Sequence, residues 1–250
     1  MSAAIENITT VFFDFGGTLC DLRAERAVLL QDDLKRIGLD VPRDDVERAL
    51  QAGREWDRQN SARFAPDYES RTNRFVSFCR AIVESLGLPG DRAPIARRLW
   101  EAWDAEPGVW VVYPDVRPCL ETLTARGLRL GVISNWDKRN LPETCEQISI
   151  ARYFAVILSS AEANADKPDP AIFRQGLQMA GAQPQEAIHV GDSLQADAEG
   201  ATNAGMKGIW LVRDADPPPS AFPVIRTLTD LPALIEPQGR TAVRPCDCNR

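Results

Sequence analysis

The chain has 250 residues, a formal net charge of −7 and a pI near 4.9. With 44% hydrophobic and 26% charged residues it can bury a substantial core. The acidic balance argues against nucleic acid as a bulk partner and offers no basic face to an anionic membrane, but it leaves open a small anionic substrate met locally. No run approaches the roughly 18 apolar residues of a spanning helix. The opening MSAAIENITT has neither a basic n-region nor an apolar h-region, which points away from a secretory signal. Six cysteines, at 20, 79, 119, 145, 246 and 248, form no CxxC pair and no zinc spacing, as expected of reduced thiols in the cytoplasm. For Cys246 and Cys248, in a short polar tail, the alternative is a weak metal or redox site.

Taken in order, the chain first offers an apolar, β-prone run, Val11, Phe12 and Phe13, followed by a lone acid, Asp14. Gly16 and Gly17 break the strand, and Thr18 supplies a hydroxyl. This pattern predicts a buried strand delivering an acid to a sheet edge. From about 22 to 108 the pattern is helical throughout. Leu30, Leu34 and Ile37 fall at i, i+4 and i+7 before Gly38. Val46, Ala49, Leu50 and Gly53 share a face after Pro42. Phe75, Phe78, Cys79, Ile82 and Leu86 stripe a third helix, ended by Gly87. Ile95, Leu99 and Trp103 line a fourth, ended near Pro107. The stretch 61–68 reads as a loop.

From Tyr113 strand and helix alternate. Helices are predicted at 116–125, 141–151, 170–181, 196–204 and 231–235, and strands at 128–134, 155–159, 187–190 and 209–212, with the prolines 217–219 in a loop. Five β-runs separated by helices imply an α/β fold with a doubly wound, mostly parallel sheet and right-handed crossovers. The expected organisation is a Rossmann-like core from 1–21 and 109–237, an inserted helical cap from 22–108, and a flexible tail from 238–250.

Four groups of polar residues sit at the carboxyl ends of predicted strands: Asp14; Ser134 and Asn135 in VISNWD; Lys167 in ADKPDP; and Gly191, Asp192, Ser193 and Asp197 in HVGDSLQAD. In a doubly wound sheet these ends converge on one crevice. Carboxylates, a hydroxyl and a lysine there suit magnesium and a phosphate group, since Mg²⁺ takes hard oxygens and keeps several waters. The single histidine, His189, lies in an apolar run and reads as a core residue or a support to the site. Its solitude removes most Ser-His-Asp, Cys-His and His-metal chemistry. For Asn135 and Ser193 the alternative role is capping the helices that follow, and for Asp197 merely beginning one.

In these four ordered motifs, with the insertion after the first, the chain resembles the haloacid dehalogenase-like hydrolase superfamily with a helical cap. YPDV before the second strand and KPDPAIF after the third add to the likeness. The resemblance implies that Asp14 is a nucleophile forming an aspartyl-phosphate. It implies that Ser134 and Lys167 bind the transferring phosphoryl group, with Asn135, Thr18 and Gly17 beside it. Asp14, Asp192 and the backbone carbonyl of Gly16 would ligate Mg²⁺, supported by Ser193 and Asp197. One departure stands out. Phosphatases of the family carry a second aspartate two residues after the nucleophile, as general acid and then base, where this chain has Gly16. Such help is typically worth about 10²–10⁴-fold, so alkyl phosphates should turn over slowly, and acyl or aryl phosphates should suffer less.

Three functions follow from this pattern. The first is a Mg²⁺-dependent phosphatase acting on a small phosphorylated metabolite. The second is dehalogenase or phosphonate chemistry, where relatives also lack the second aspartate. Asp192 argues against dehalogenation, and the only lysine of the insertion available for a Schiff base is Lys35, on a charged helical segment. The third is a catalytically impaired phosphate- or partner-binding protein. Substrate choice is expected to lie in the cap. Trp56, Phe64, Tyr68, Trp100, Trp103 and Trp110 are its candidate pocket aromatics, although aromatic stripes usually fill cores. Arg54, Arg58, Arg63, Arg71 and Arg74 are its candidate anion-facing cations.

Overall fold

The structure, a computed structural model, describes residues 5–236 except 65–67, 89, 105–108, 137–139, 214–215 and 218, and not the side chains of Tyr68 and Asp104. Pro107, Pro218 and the tail with Cys246 and Cys248 therefore lie outside the described residues. The fold is organised on β1 (Thr10–Phe13), whose four residues are all buried. A strand covered on both faces needs a continuous apolar run rather than an alternating one, and Val11-Phe12-Phe13 supplies it. Successive side chains still point to opposite faces. Phe13 joins a core with Val132, Val116, Leu120 and Leu123 on one side. Phe12 joins Ile133, Phe173 and Leu177 on the other. The sheet is thus packed on both faces, as expected of a doubly wound α/β fold.

Parallel partners flank β1: β4 (Arg129–Ser134) on one side and β6 (Ala187–Gly191) on the other. Next to β4 lies β5 (Val156–Ser159). Next to β6 lie β7 (Lys207–Leu211) and then β8 (Val224–Ile225), all parallel. The order β5-β4-β1-β6-β7-β8 reverses direction at β1. Such a reversal opens a crevice at the strand carboxyl ends. The sheet has six strands, one more than predicted, because β8 is two residues long and carries no pattern. A second, two-stranded antiparallel sheet pairs β2 (Cys20–Leu22) with β3 (Trp110–Val112). Its halves are so far apart in sequence that no local signal joins them.

Among the described residues, four α-helices lie between β2 and β3: α1 (Arg26–Arg36), α2 (Arg43–Asn60), α3 (Tyr68–Ser85) and α4 (Arg92–Asp104). They bury their own cluster, including Leu30, Leu34, Val46, Leu50, Ile82 and Leu99, separate from the two cores of the sheet. The predicted faces of these helices are the buried ones. After β3 come α5 (Val116–Ala125), α6 (Leu141–Gln147), α7 (Ser160–Ala163), α8 (Pro170–Ala180), α9 (Gly200–Asn203) and α10 (Leu231–Leu234). The helix predicted over 141–151 stops at Gln147, where the chain turns through Ser149 at φ 59°. The one predicted over 196–204 begins earlier, as a wide π-helical turn at Leu194–Glu199 running into α9. Cys20, Cys79, Cys119 and Cys145 are free and buried. Burial pushes the Cys119 and Cys145 thiols up to about 12, which leaves them unreactive. Among the described residues no helix is long and apolar enough to cross a membrane.

Candidate active site

At the reversal point the carboxyl ends of β1, β4 and β6 bring charge inside the protein. Asp14 follows β1 directly and is 9% exposed. Lys167, 4% exposed, reaches it from the loop before α8, with Nζ donating to Asp14 Oδ1 at 2.7 Å. The same Nζ donates to Asp197 Oδ1 at 2.6 Å. Burial alone would push the lysine down, but the two carboxylates outweigh it and hold the ammonium above its usual range. Asp197 is fixed from two further directions. His189 Nε2 lies 2.9 Å from Oδ1, and the Ser193 backbone N–H donates to Oδ2 at 2.9 Å. Burial would raise the Asp197 carboxyl, yet Lys167 and the donors hold it well below the carboxylate range. His189 is fully buried and pushed down by desolvation, so it is neutral and must carry its proton on Nε2 to donate to Asp197. It is a support beneath the site.

Two glycines make this geometry possible. A side chain at Gly191 would run into the Asp197 carboxylate. Gly17 has φ +73°, and a Cβ there would sit 2.5 Å from Asp192 Oδ2. The loop after β1 and the loop after β6 therefore touch, and Asp192 lies against the backbone at Gly17. Gly16 is different. Its backbone is not left-handed, and a Cβ would meet only the Trp110 ring at 3.8 and 3.9 Å, an ordinary contact. Position 16 has room for a side chain.

Asp14, Asp192 and Asp197 offer carboxylate oxygens within 4.8 Å of one another. Asp197 is committed to Lys167 and His189, which leaves Asp14 and Asp192 to share a cation. Asp192 is exposed at the cleft, but neighbouring protein removes part of its hydration. That desolvation, with the charges of Asp14 and Asp197, pushes its carboxyl up to about 6. Three acids face one lysine here. The excess negative charge and the all-oxygen donor set fit a hard divalent cation.

The predicted residues divide clearly. Asp14, Lys167, Asp192 and Asp197 come together. Ser193 caps the turn after it, its Oγ accepting from the Ala196 N–H at 3.1 Å. Among the described residues Asn135 caps no helix. Its amide donates to the Lys167 carbonyl at 2.9 Å and accepts from the Lys167 N–H at 2.7 Å, which locks the backbone that carries the lysine. Ser134, at the end of β4, and Thr18 are buried, and neither lines the cavity above Asp14. Among the described residues Thr18 Oγ1 has no hydrogen-bond partner.

That cavity, about 550 Å³, has Asp14, Gly16 and Lys167 on its floor and Arg26, Leu29, Phe75 and Trp103 of the helical insertion on its far side. Trp103 and Trp110 line it as predicted. Trp100 is buried against Phe75, with ring centroids 5.3 Å apart, and Trp56 packs on Phe64 instead. Of the five candidate arginines none lines it. Arg71 is buried and pairs with Asp166, beside Lys167, at 2.7 Å, and Arg74 pairs with Asp57. Lys35 is exposed and off the cavity wall. Sequence reasoning missed Trp136 and Arg26. Trp136 follows Asn135 directly in VISNWD, a position that could have marked it.

A second network holds the loop after β1. Arg213 donates to the Thr18 carbonyl at 2.7 Å and the Gly17 carbonyl at 3.3 Å, and pairs with Asp115 of YPDV at 2.8 Å. Its guanidinium lies 3.9 Å over the Tyr113 ring. Burial would raise the Asp115 carboxyl, but Arg213, the Leu228 N–H and Thr227 outweigh it and hold it low.

Comparison with known proteins agrees with this arrangement. Residues 8–205 match the hydrolase family described as haloacid dehalogenase-like hydrolase. The chain is 34% identical over 159 residues to haloacid dehalogenase-like hydrolase domain-containing protein 3 of Bos taurus, covering 60% of this chain and 62% of that protein. It is also 34% identical over 148 residues to the phosphoserine phosphatase of Thermus thermophilus, covering 59% of each. The chain thus spans about 60% of the length of these curated relatives. A 2-haloacid dehalogenase structure from Pseudomonas syringae superposes with a TM-score of 0.61 at 28% identity, over 91% of this chain and 97% of that one. The family match runs from before β1 through Asp14, Lys167, Asp192 and Asp197, and the chain belongs to the haloacid dehalogenase-like hydrolase family.

Proposed function

We propose that the protein is a phosphatase that transfers a phosphoryl group from a small phosphorylated metabolite to Asp14, with Mg²⁺ as cofactor. The observation that carries this reading is the buried Lys167 ammonium shared between Asp14 and Asp197 at the cavity floor, with Asp192 alongside. Asp14 directs a carboxylate oxygen at phosphorus. Lys167 donates to a phosphoryl oxygen while Asp197, His189 and Asn135 keep it in place. Ser134, Thr18 and Gly17, which lie off the cavity wall, support that site from behind, and Ser193 steadies the turn that carries Asp197. Asp14, Asp192 and the Gly16 carbonyl would hold Mg²⁺, which when bound supplies charge neutralisation at the phosphoryl oxygens. The helical insertion acts as the cap that walls the site from water.

Gly16 leaves the leaving group without a proton donor at the position where family phosphatases carry an acid. Turnover is therefore slow, or limited to esters that expel a stable anion. The phosphoserine phosphatase relative supports phosphoryl chemistry over dehalogenation, as does Asp192 beside the nucleophile. The test is hydrolysis of acetyl phosphate with and without Mg²⁺. Activity that requires the ion and vanishes in Asp14→Asn is expected. Silence in both proteins would instead support a phosphate- or partner-binding role.

A further inference from the structure

The cavity has an aromatic wall at one particular place. Trp110 and Trp136 both line it, with ring centroids 5.4 Å apart and planes 51° apart. Behind them the fully buried Phe15 contacts each edge-on, at 5.3 Å and 5.2 Å. Trp136 is further fixed by its indole N–H, which donates to Asn140 Oδ1 at 3.0 Å. Phe15 is the residue between the nucleophile and Gly16, so this rigid wall stands immediately beside the reacting carboxylate. The Trp110 ring also borders the spot where a side chain at 16 would begin. Where other phosphatases of the family set a carboxylic acid, this protein sets an indole.

Among the described residues, the acids on the cavity wall are Asp14, Asp33 and Asp197. Asp33 is 1% exposed and bonded to Arg36 at 2.7 Å, and the other two are committed to Lys167. Asp192 lies off that wall, against Gly17, and is assigned to the cation, so a leaving group beside Gly16 departs without a donated proton. A phenolate does so readily, since phenols ionise near about 10, and its ring can pack on indole.

We propose that the cavity selects phosphate monoesters of aromatic alcohols, the ring seated against Trp110 and Trp136 beside Gly16. This rests on the phosphatase reading above. A bond forms from Asp14 to phosphorus as the bond from phosphorus to the aryl oxygen breaks, and the electron pair leaves on the phenolate. Water then adds to phosphorus, and the Asp14 carboxylate is released. Both water protons end on inorganic phosphate, from which one passes to the phenolate or to solvent.

The test compares kcat/KM for phenyl phosphate with that for a fluorinated alkyl phosphate whose alcohol matches phenol in acidity, with acetyl phosphate as a third substrate. Matched acidity removes the electronic advantage, so any preference reports the ring. The wild type is expected to favour the aryl ester by about three- to tenfold, the range of an aromatic contact. Trp110→Leu and Trp136→Leu should each bring that ratio toward one, a readout internal to one preparation and independent of how much of it is folded. A wild-type ratio near one, with acetyl phosphate still hydrolysed, would overturn the aromatic assignment and leave the phosphatase reading intact. No hydrolysis of any of the three would overturn both.

Discussion

Charge is handled in opposite ways in the sheet and in the helical insertion. At the strand ends, Lys167, Asp14, Asp197 and His189 are buried, and the bonds from Lys167 to Asp14 and Asp197 run between segments distant in sequence. On the insertion, ion pairs such as Arg43–Glu47, Arg48–Asp45, Arg58–Glu55 and Arg80–Glu84 join residues three or four apart and stay largely in solvent. Pairs of the second kind are worth little, because water screens them and two long side chains lose freedom. Those of the first kind are costly to assemble and costlier to break. The contrast teaches where to look for chemistry: a fold that tolerates two acids and a lysine in its interior has a use for them. Arg71–Asp166 is the exception that joins the two regions, with the insertion side buried and the loop of Lys167 on the other.

The comparison breaks most severely at Lys167. Lys167→Ala would leave Asp14 and Asp197 as neighbouring buried carboxylates, and a loss of about 3–5 kcal/mol is expected in denaturant unfolding. A change under about 1 kcal/mol would mean that water already reaches the site. The same order of energy should appear with favourable sign in catalysis at position 16. Gly16→Asp has room beside Trp110 and restores an acid, so hydrolysis of a simple alkyl phosphate should rise by about 10²-fold or more. No rise in steady-state assays would show that proton donation is not what limits this protein.

Arg213 and Asp115 stand between the two cases, a half-buried pair at the site's periphery. Arg213→Ala removes the clamp on the Gly17 and Thr18 carbonyls and is expected to cost about 2–3 kcal/mol by thermal unfolding. Its partner Asp115 has a carboxyl held below the ordinary value, so its contribution is complete above about pH 4 and lost as pH falls further. Between about pH 4 and pH 2 the wild type should therefore lose stability more steeply than Asp115→Asn, and parallel curves would remove Asp115 from the account. The smallest effect belongs to the insertion surface. Arg48→Ala should change stability by about 0.5 kcal/mol or less.

Much of this was legible in the sequence for a physical reason. A strand buried on both faces must be an unbroken apolar run, and an acid placed directly after one can only emerge at a sheet edge, which is how Asp14 and Asp192 were readable. The helical faces of the insertion were readable from their period. What was hidden depends on pairing across distance. The β2–β3 ribbon joins residues near 21 to residues near 111. Asn135, which reads as a substrate-binding residue or a cap, lines the cavity and also braces the Lys167 backbone 32 residues away. The arginines that clustered in sequence face solvent or acids, while Arg26, alone on the first turn of α1, reaches the cavity. Trp136 follows the end of β4, where no helical stripe marks an aromatic as lining a cavity.

The central claim is that Asp14 becomes covalently phosphorylated. Its most direct test is to quench the protein with acid within milliseconds of mixing with p-nitrophenyl phosphate and Mg²⁺, and to map adducts by mass spectrometry. The account predicts a phosphoryl group on the peptide containing Asp14, absent from Asp14→Asn. Release of p-nitrophenol with no adduct at any time point, or an adduct on another residue, would contradict it.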